Sequence, residues 1–371
     1  MLKLILQLAL GALIGVVISI LLLGSNGEFL ARLAPLTVSA VSVIVFVLIG
    51  VVIHEFGHLV FGLLTGYRFS SFRVGSLVWF KEGDKIRFKT SGSLVAGQCL
   101  MIPPEKPEDF RFILYNLGGG LFNILFCLLL FVLLMLTSII TPVVPGNFWH
   151  SLFSAGIAMS GLLALVNLIP IKPLTNDGAN IWEALKSKEA AYGMYMMFYI
   201  NNEMMEGRRY RDFDEKLFKV SEDADLGNYM IAYLVMLKAA RLEDLGQHDA
   251  FIELYNRLNI KKLPSLYRAL IKADLLYYYT IYNQDFGKAR EIYKDKKLRN
   301  LLKADMPTLM RVSAAYEFFV TDNKDKAAKL LAKAKNSVEN LPNKGQRLME
   351  LEYIQKLEAL MQKKKGTNHG T

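Results

Sequence analysis

Five consecutive residues, His54-Glu55-Phe56-Gly57-His58, carry the sharpest chemical signal in this 371-residue chain. On a helix, positions i and i+4 share a face, so the two imidazoles can converge on one metal ion. Neutral imidazole suits Zn2+, and the carboxylate beside the first histidine can take a proton from a water that the metal activates. With five His and 19 Glu in the chain, chance alone gives the pattern about 0.003 times per sequence of this length, so coincidence competes weakly. Two histidines leave a catalytic zinc incomplete, because such a site normally has three protein ligands and one open position. His150, His248 and His369 are remote in the sequence pattern. Among the carboxylates Asp177 stands out, in the run Asn167-Leu168-Ile169-Pro170-Ile171-Lys172-Pro173-Leu174-Thr175-Asn176-Asp177-Gly178. Spacing leaves two readings of it open, a third ligand or the cap of a helix through Ile181-Trp182-Glu183-Ala184-Leu185.

The elements that must hold these residues are apolar. A bilayer core of about 30 Å needs roughly 20 apolar residues in a helix. Four stretches satisfy this: Leu4 to Leu23, Leu33 to Ile53 with an extension to Leu64, Ile113 to Ile140, and Leu152 to Ile171. The first run is longer than a signal peptide's apolar region and is followed by no A-x-A site, so it reads as a retained span. The His pair begins about 18 residues, or roughly 27 Å, beyond Leu36, near the end of the second span. Ionisable groups at such depth are costly and mark function. The segment 67–111 carries eight Lys/Arg, against Arg32 alone after the first span and none from Thr141 to His150. The positive-inside rule therefore puts residues 67–111, both termini and the polar tail in the cytosol. Within that segment, Phe72 to Lys81 and Lys85 to Lys89 alternate at period two around Glu82-Gly83-Asp84 and predict a β-hairpin. The Gly-containing stretch Gly92 to Met101 follows it. A hairpin edge there could take an extended peptide as an added strand.

Charge density divides the chain. Residues 1–190 hold 13 Lys/Arg and 10 Asp/Glu, and residues 191–371 hold 31 and 24. The net charge of +10 is spread over interleaved signs, which fits a solvated face and a membrane bias better than a nucleic-acid patch, and no nucleic acid is expected. Disorder and disulfide-rich folds are excluded by 53% hydrophobic content and by only two cysteines, Cys99 and Cys127. From about residue 190 the pattern is helical, and three look-alike segments centred on Ala250, Ala289 and Ala327 recur at spacings of 39 and 38. This resembles tetratricopeptide-like helix pairs, with a plain helical bundle as the alternative.

A long apolar helix with His-Glu-x-x-His, then Gly119-Gly120-Leu121-Phe122-Asn123, then Asn-x-x-Pro and Asp-Gly, resembles the site-2 protease family of intramembrane zinc metalloproteases over roughly residues 33–185. The resemblance implies His54, His58 and Asp177 as zinc ligands, Glu55 as general base, and Asn123 as a contact to substrate or developing oxyanion. It gives Asn167 a structural role. Thr175-Asn176 is a departure, because the family often has Leu-Asp-Gly directly after its proline. No PDZ or CBS pattern is visible, so the family's usual regulatory domains are not carried over.

The expected protein is an α-helical polytopic membrane protein of about four spans. Residues 1–32 form a first span and external loop, and 33–188 a protease core with the hairpin region at 67–111. Residues 189–371 form a cytosolic all-α, tetratricopeptide-like repeat domain. Its expected function is hydrolysis of membrane-anchored protein or peptide substrates near the cytosolic face of a bacterial plasma membrane, using one zinc per chain, with room for a cytosolic protein or peptide partner on the tail. A membrane-anchored scaffold with a structural or vestigial zinc site is the alternative. A transporter fits less well, since the spans show no internal repeat.

Overall fold

The computed structural model describes residues 27–83, 85–90, 97–140, 148–171, 175–341 and 343–367, with side chains between 41 and 364 except Glu82. The first apolar run, residues 91–96 of the Gly-containing stretch, and Lys172-Pro173-Leu174 lie outside the described residues. The chain divides into two compact units, with the break between Trp182 and Glu183.

In the first unit, three long helices pack together: α1 (Gly27–Leu64), α2 (Phe112–Ile140) and α3 (Phe148–Leu168). Among the described residues, three helical segments are long and apolar enough to cross a membrane, Val41–Leu64, Pro107–Ile140 and Phe148–Leu168. Their side chains are arranged inside out relative to a water-soluble bundle. Ser42, His54, Glu55, His58, Asn116, Asn123 and Ser160 are buried, whereas Leu48 and Val52 of α1, Leu128 and Val132 of α2, and Leu162 and Leu165 of α3 are exposed. An apolar exterior around a polar interior suits a hydrocarbon solvent, where packing and internal hydrogen bonds hold helices together.

Between α1 and α2 lies a four-stranded antiparallel sheet of order β3-β2-β1-β4. Its strands are β1 (Arg68–Val74), β2 (Leu77–Glu82), β3 (Lys85–Thr90) and β4 (Gly97–Ile102). The predicted hairpin arm from Phe72 to Lys81 is thus two strands. Gly75 takes φ +57° and reverses the chain, so that Val74 pairs with Leu77. Period-two alternation runs straight through this turn because apolar residues flank it on both sides, which is why the sequence reads as one arm. The second hairpin forms where predicted, Glu82 pairing with Lys85. β4 closes the other side by pairing with β1, from Arg68 opposite Ile102 to Val74 opposite Gly97.

The second unit is all helical: α5 (Lys188–Met205), α6 (Tyr229–Asp244), α7 (His248–Asn256), α8 (Ser265–Ile281), α9 (Phe286–Tyr293), α10 (Lys296–Leu301), α11 (Pro307–Phe319), α12 (Lys324–Ser337) and α13 (Lys344–Thr367), after α4 (Asp177–Ala184), which crosses the break. Leu276, Leu298, Ala314, Ala315, Ile354 and Leu357 lie in its core. Helix pairs α6/α7, α8/α9 and α11/α12 share one local geometry. The second helices begin at His248, Phe286 and Lys324, 38 residues apart each time. Just ahead of each is a residue in the left-handed region, Gly246, Gln284 and Asp322, at the same 38-residue spacing. The buried positions are accordingly Phe251, Ala289 and Ala327, while Ala250 is exposed. Equating Ala250 with Ala289 is therefore off by one, because alanine was matched to alanine across a turn whose length only the backbone reveals.

The left-handed turn is the testable part of this repeat. A Cβ added at Gly246 meets nothing within 4 Å, so Gly246→Ala carries only the conformational penalty of φ +76°, about 1 kcal/mol. Gln284→Gly should change stability less, because the strain relieved is offset by glycine's freedom in the unfolded chain. Calorimetric melting of the full chain checks both.

Candidate metal centre

α1 carries His54 and His58 one turn apart, so both rings leave the same side of the helix. The rings stand edge to face, centroids 4.8 Å apart. Asp177, the first residue of α4, arrives from a distant part of the sequence. Its Oδ2 lies 3.0 Å from His54 Nε2 and 3.3 Å from His58 Nε2, and the two Nε2 atoms are 3.2 Å apart. Among the described residues, these are the His, Cys, Asp or Glu side chains that could hold a metal ion together. Tetrahedral zinc with bonds of about 2.0–2.1 Å separates neighbouring ligand atoms by about 3.3 Å, and the triangle has these edges.

The hydrogen bonding points the same way. His58 Nδ1 lies 2.8 Å from the carbonyl oxygen of Tyr115. A carbonyl only accepts, so Nδ1 carries the hydrogen and Nε2 is left as a bare lone pair. Asp177 Oδ2 is buried with no directed hydrogen bond despite its two imidazole neighbours. Two imidazole nitrogens and a carboxylate oxygen that converge to within 3.0–3.3 Å of one another fit a cation.

At His54, Nδ1 lies 3.3 Å from Asn123 Nδ2, while Asn123 Oδ1 is buried without a partner. Turning the amide over resolves both facts: Nδ1–H donates to Oδ1, and Nε2 is freed for the metal. Asn123, fully buried on α2, is thereby brought to the back of the His54 ring. Gly119, one turn earlier, makes room for the ring, since a Cβ there would sit 2.5 Å from His54 Cε1.

Asp177 reaches the histidines because another residue caps its helix. Asn176 Oδ1 accepts the Ala179 N–H at 2.9 Å, and its amide donates to the carbonyls of Val166 at 2.5 Å and Ile169 at 2.7 Å. This one side chain ties the end of α3 to the start of α4. The cap reading of Asp177 therefore belongs to its neighbour, and the Thr175-Asn176 departure supplies the cap. Asn167 donates to the Leu163 carbonyl of its own helix at 2.9 Å and takes no part in the triad.

Glu55 is buried on α1 beside β4. The backbone of Cys99 is hydrogen-bonded to its carboxylate, and a Cβ on Gly97 would lie 2.6 Å from Glu55 Oε1. Tyr115 also reaches this strand, donating to the Cys99 carbonyl at 2.8 Å. Sequence reasoning misses Tyr115, and it names Asn176 and Gly119 within their motifs without reading the roles they take here. Asn176 had a signal, an Asx residue directly before an acidic helix start. Tyr115 had none, because its contribution to His58 is a backbone carbonyl.

Residues 42–144 match the model of peptidase family M50, the site-2 protease family. That segment contains His54, Glu55, His58 and Asn123, and ends before Asp177. Neither curated proteins nor solved structures give a match. The family is one of zinc-dependent metallopeptidases, and the donor set of two imidazoles and one carboxylate fits that ion.

The contact between Asn123 and His54 has a measurable consequence. Asn123→Ala should weaken zinc binding about 10- to 100-fold, the usual effect of removing a ligand's outer partner, as read by chelator competition on purified protein. Unchanged zinc affinity with lost turnover would assign Asn123 to substrate or oxyanion instead.

Proposed function

We propose that this protein is an intramembrane zinc metalloprotease that hydrolyses peptide bonds of membrane-anchored proteins or peptides close to the cytosolic face. The observation that carries the reading is the triangle of His54 Nε2, His58 Nε2 and Asp177 Oδ2, with edges of 3.0–3.3 Å and a buried carboxylate, Glu55, on the same helix. A structural zinc needs no such carboxylate, which argues against the scaffold alternative.

When bound, zinc supplies an activated water and a Lewis acid for the scissile carbonyl. Glu55 takes the water's proton and returns it to the leaving amine. Cys99 and Gly97 hold its carboxylate on one side, so the proton acceptor has a fixed direction. Asn123 and the Tyr115 carbonyl keep the imidazoles in the tautomer that ligation needs. The packed helices enclose a polar interior, so water reaches the site through protein and not through lipid.

A substrate helix hides its carbonyls in internal hydrogen bonds and must be extended before it can be cut. β4 supports this step best, since its Gly97–Cys99 segment lies against Glu55. The outer edge of β3 is three strand spacings from β4, about 14 Å, too far to present a peptide bond to Glu55. The hairpin edge is thus the weaker candidate for the added strand. The run of Lys and Arg in the sheet segment supports a cytosolic position for it and for the tail. With the run Leu4 to Leu23 as a span, the protein has four. The Lys/Arg asymmetry and compact plan suit a bacterial plasma membrane.

Glu55→Gln separates metal binding from chemistry. Wild type and variant should each hold one zinc, while cleavage of single-span substrates by the variant falls at least about 100-fold. A wild type without zinc, or a variant that cuts normally, would sink the reading. Gly97→Val should likewise keep zinc and lose cleavage, because the new side chain displaces the Glu55 carboxylate; normal turnover in that variant would remove β4 from the substrate path.

A further inference from the structure

The helical unit contains a cavity of about 230 Å³ between α6, α7, α8, α11 and α13, well separated in sequence from the metal centre. Five of its seventeen lining residues are tyrosines, and charged groups stand among the rings. Arg311 is buried, 3% exposed. Its Nε donates to Glu350 Oε1 at 2.5 Å and its Nη2 to Glu350 Oε2 at 3.4 Å. The guanidinium lies over the rings of Tyr277 and Tyr353. The opposite edge of that fork, Nη1, is buried with no hydrogen-bond partner, and so is the hydroxyl of Tyr353, a residue 4% exposed. Both donors belong to residues that line the cavity, and neither atom has an acceptor.

Two further carboxylates line the same space. Asp274 accepts the Tyr255 hydroxyl at 2.7 Å, and neither it nor Glu243 forms an ion pair among the described residues. Three carboxylates, Glu243, Asp274 and Glu350, thus share one guanidinium, which is already committed to Glu350. Buried carboxylates without cations are expensive. Burial outweighs the pull of Arg311 and pushes Glu243 up to about 7, and it outweighs the Tyr255 hydroxyl and Arg311 to push Asp274 up to about 6. Water fills such a space with about eight molecules, whereas a cation would in addition hold both carboxylates in their ionised form.

We propose that this cavity binds a small zwitterion of the size of a free α-amino acid, its ammonium group held by Glu243 and Asp274 and its carboxylate by Arg311 Nη1 and the Tyr353 hydroxyl. Arg311 acts on both carboxylates through its charge, so groups of both signs line the same space. The tyrosine rings contribute cation–π attraction to the ammonium and an apolar surface for the side chain. This site is independent of the protease reading and stands or falls separately from it.

The test is calorimetric titration of the full chain in detergent with each of the 20 protein amino acids. For any that binds, the matching amine without a carboxylate and the matching acid without an amine are titrated as well. At least one amino acid should bind, each half-molecule at least tenfold more weakly. Glu243→Gln and Tyr353→Phe should each weaken binding at least fivefold. Glu243 is faced by Asp274 from α8, Arg311 from α11, Glu350 from α13 and Asp244 from its own helix. An arriving ammonium shifts that balance toward the carboxylate, so near pH 7 binding should release protons, read as buffer-dependent heat. Absence of binding by all 20 overturns the proposal. So does an amine that binds as tightly as its amino acid, or binding that disappears when a chelator strips the metal. Should Glu243→Gln fail to fold, Tyr353→Phe decides, since it removes a hydroxyl with no partner in the protein; unchanged affinity there overturns the proposal too.

Discussion

Two imidazoles and a carboxylate meet at hydrogen-bond distance inside helices whose other neighbours are leucine, valine and phenylalanine, and much of the first unit serves that meeting. Unpaired, such groups would be among the costliest things to bury in a low-dielectric interior. A metal ion turns the cost into a bond set, but only if every electron pair points inward at about the same spot. The Tyr115 carbonyl fixes the tautomer of His58, Asn123 stands behind His54, and Gly119 leaves the His54 ring its place.

The same requirement explains the joint between α3 and α4. Asp177 must come in from the end of a span, and a helix end exposes carbonyls that have no partners of their own. Asn176 satisfies two of these carbonyls and caps the next helix with its remaining oxygen. The carboxylate beside it is left free of capping work, which is what a metal ligand needs.

The helical unit follows a different logic. Its geometry repeats through a left-handed residue every 38 positions, at Gly246, Gln284 and Asp322. Among its helices, tyrosines, carboxylates and one arginine surround an unfilled space. Elsewhere in this unit charges are matched closely: Arg209 and Arg211 both bind Asp244 and Glu352. Against that background, the imbalance around Arg311 is local.

The sequence by itself determined what local pattern can encode. Helical periodicity puts His54 and His58 on one face wherever the helix ends up. The apolar runs at 33–64, 113–140 and 152–171 become the three long helices with boundaries close to those expected. Glu82-Gly83-Asp84 marks a hairpin turn, since turn chemistry is a property of a few adjacent residues. Tertiary structure decided everything that depends on distant residues arriving together. Asp177 is 119 positions from His58, and its spacing fits a ligand and a cap equally; only the packing brings its carboxylate to 3.0 Å from His54. β4 pairs with β1 across two intervening strands, so its place beside Glu55 is a matter of long-range register. Gln284 and Asp322 adopt a glycine-like conformation that their side chains do not announce, hence the one-residue slip at Ala250. The tail cavity draws on residues from Tyr210 to Tyr353, each unremarkable alone, because an unpaired charge is defined by its neighbours and those neighbours are chosen only when the helices pack.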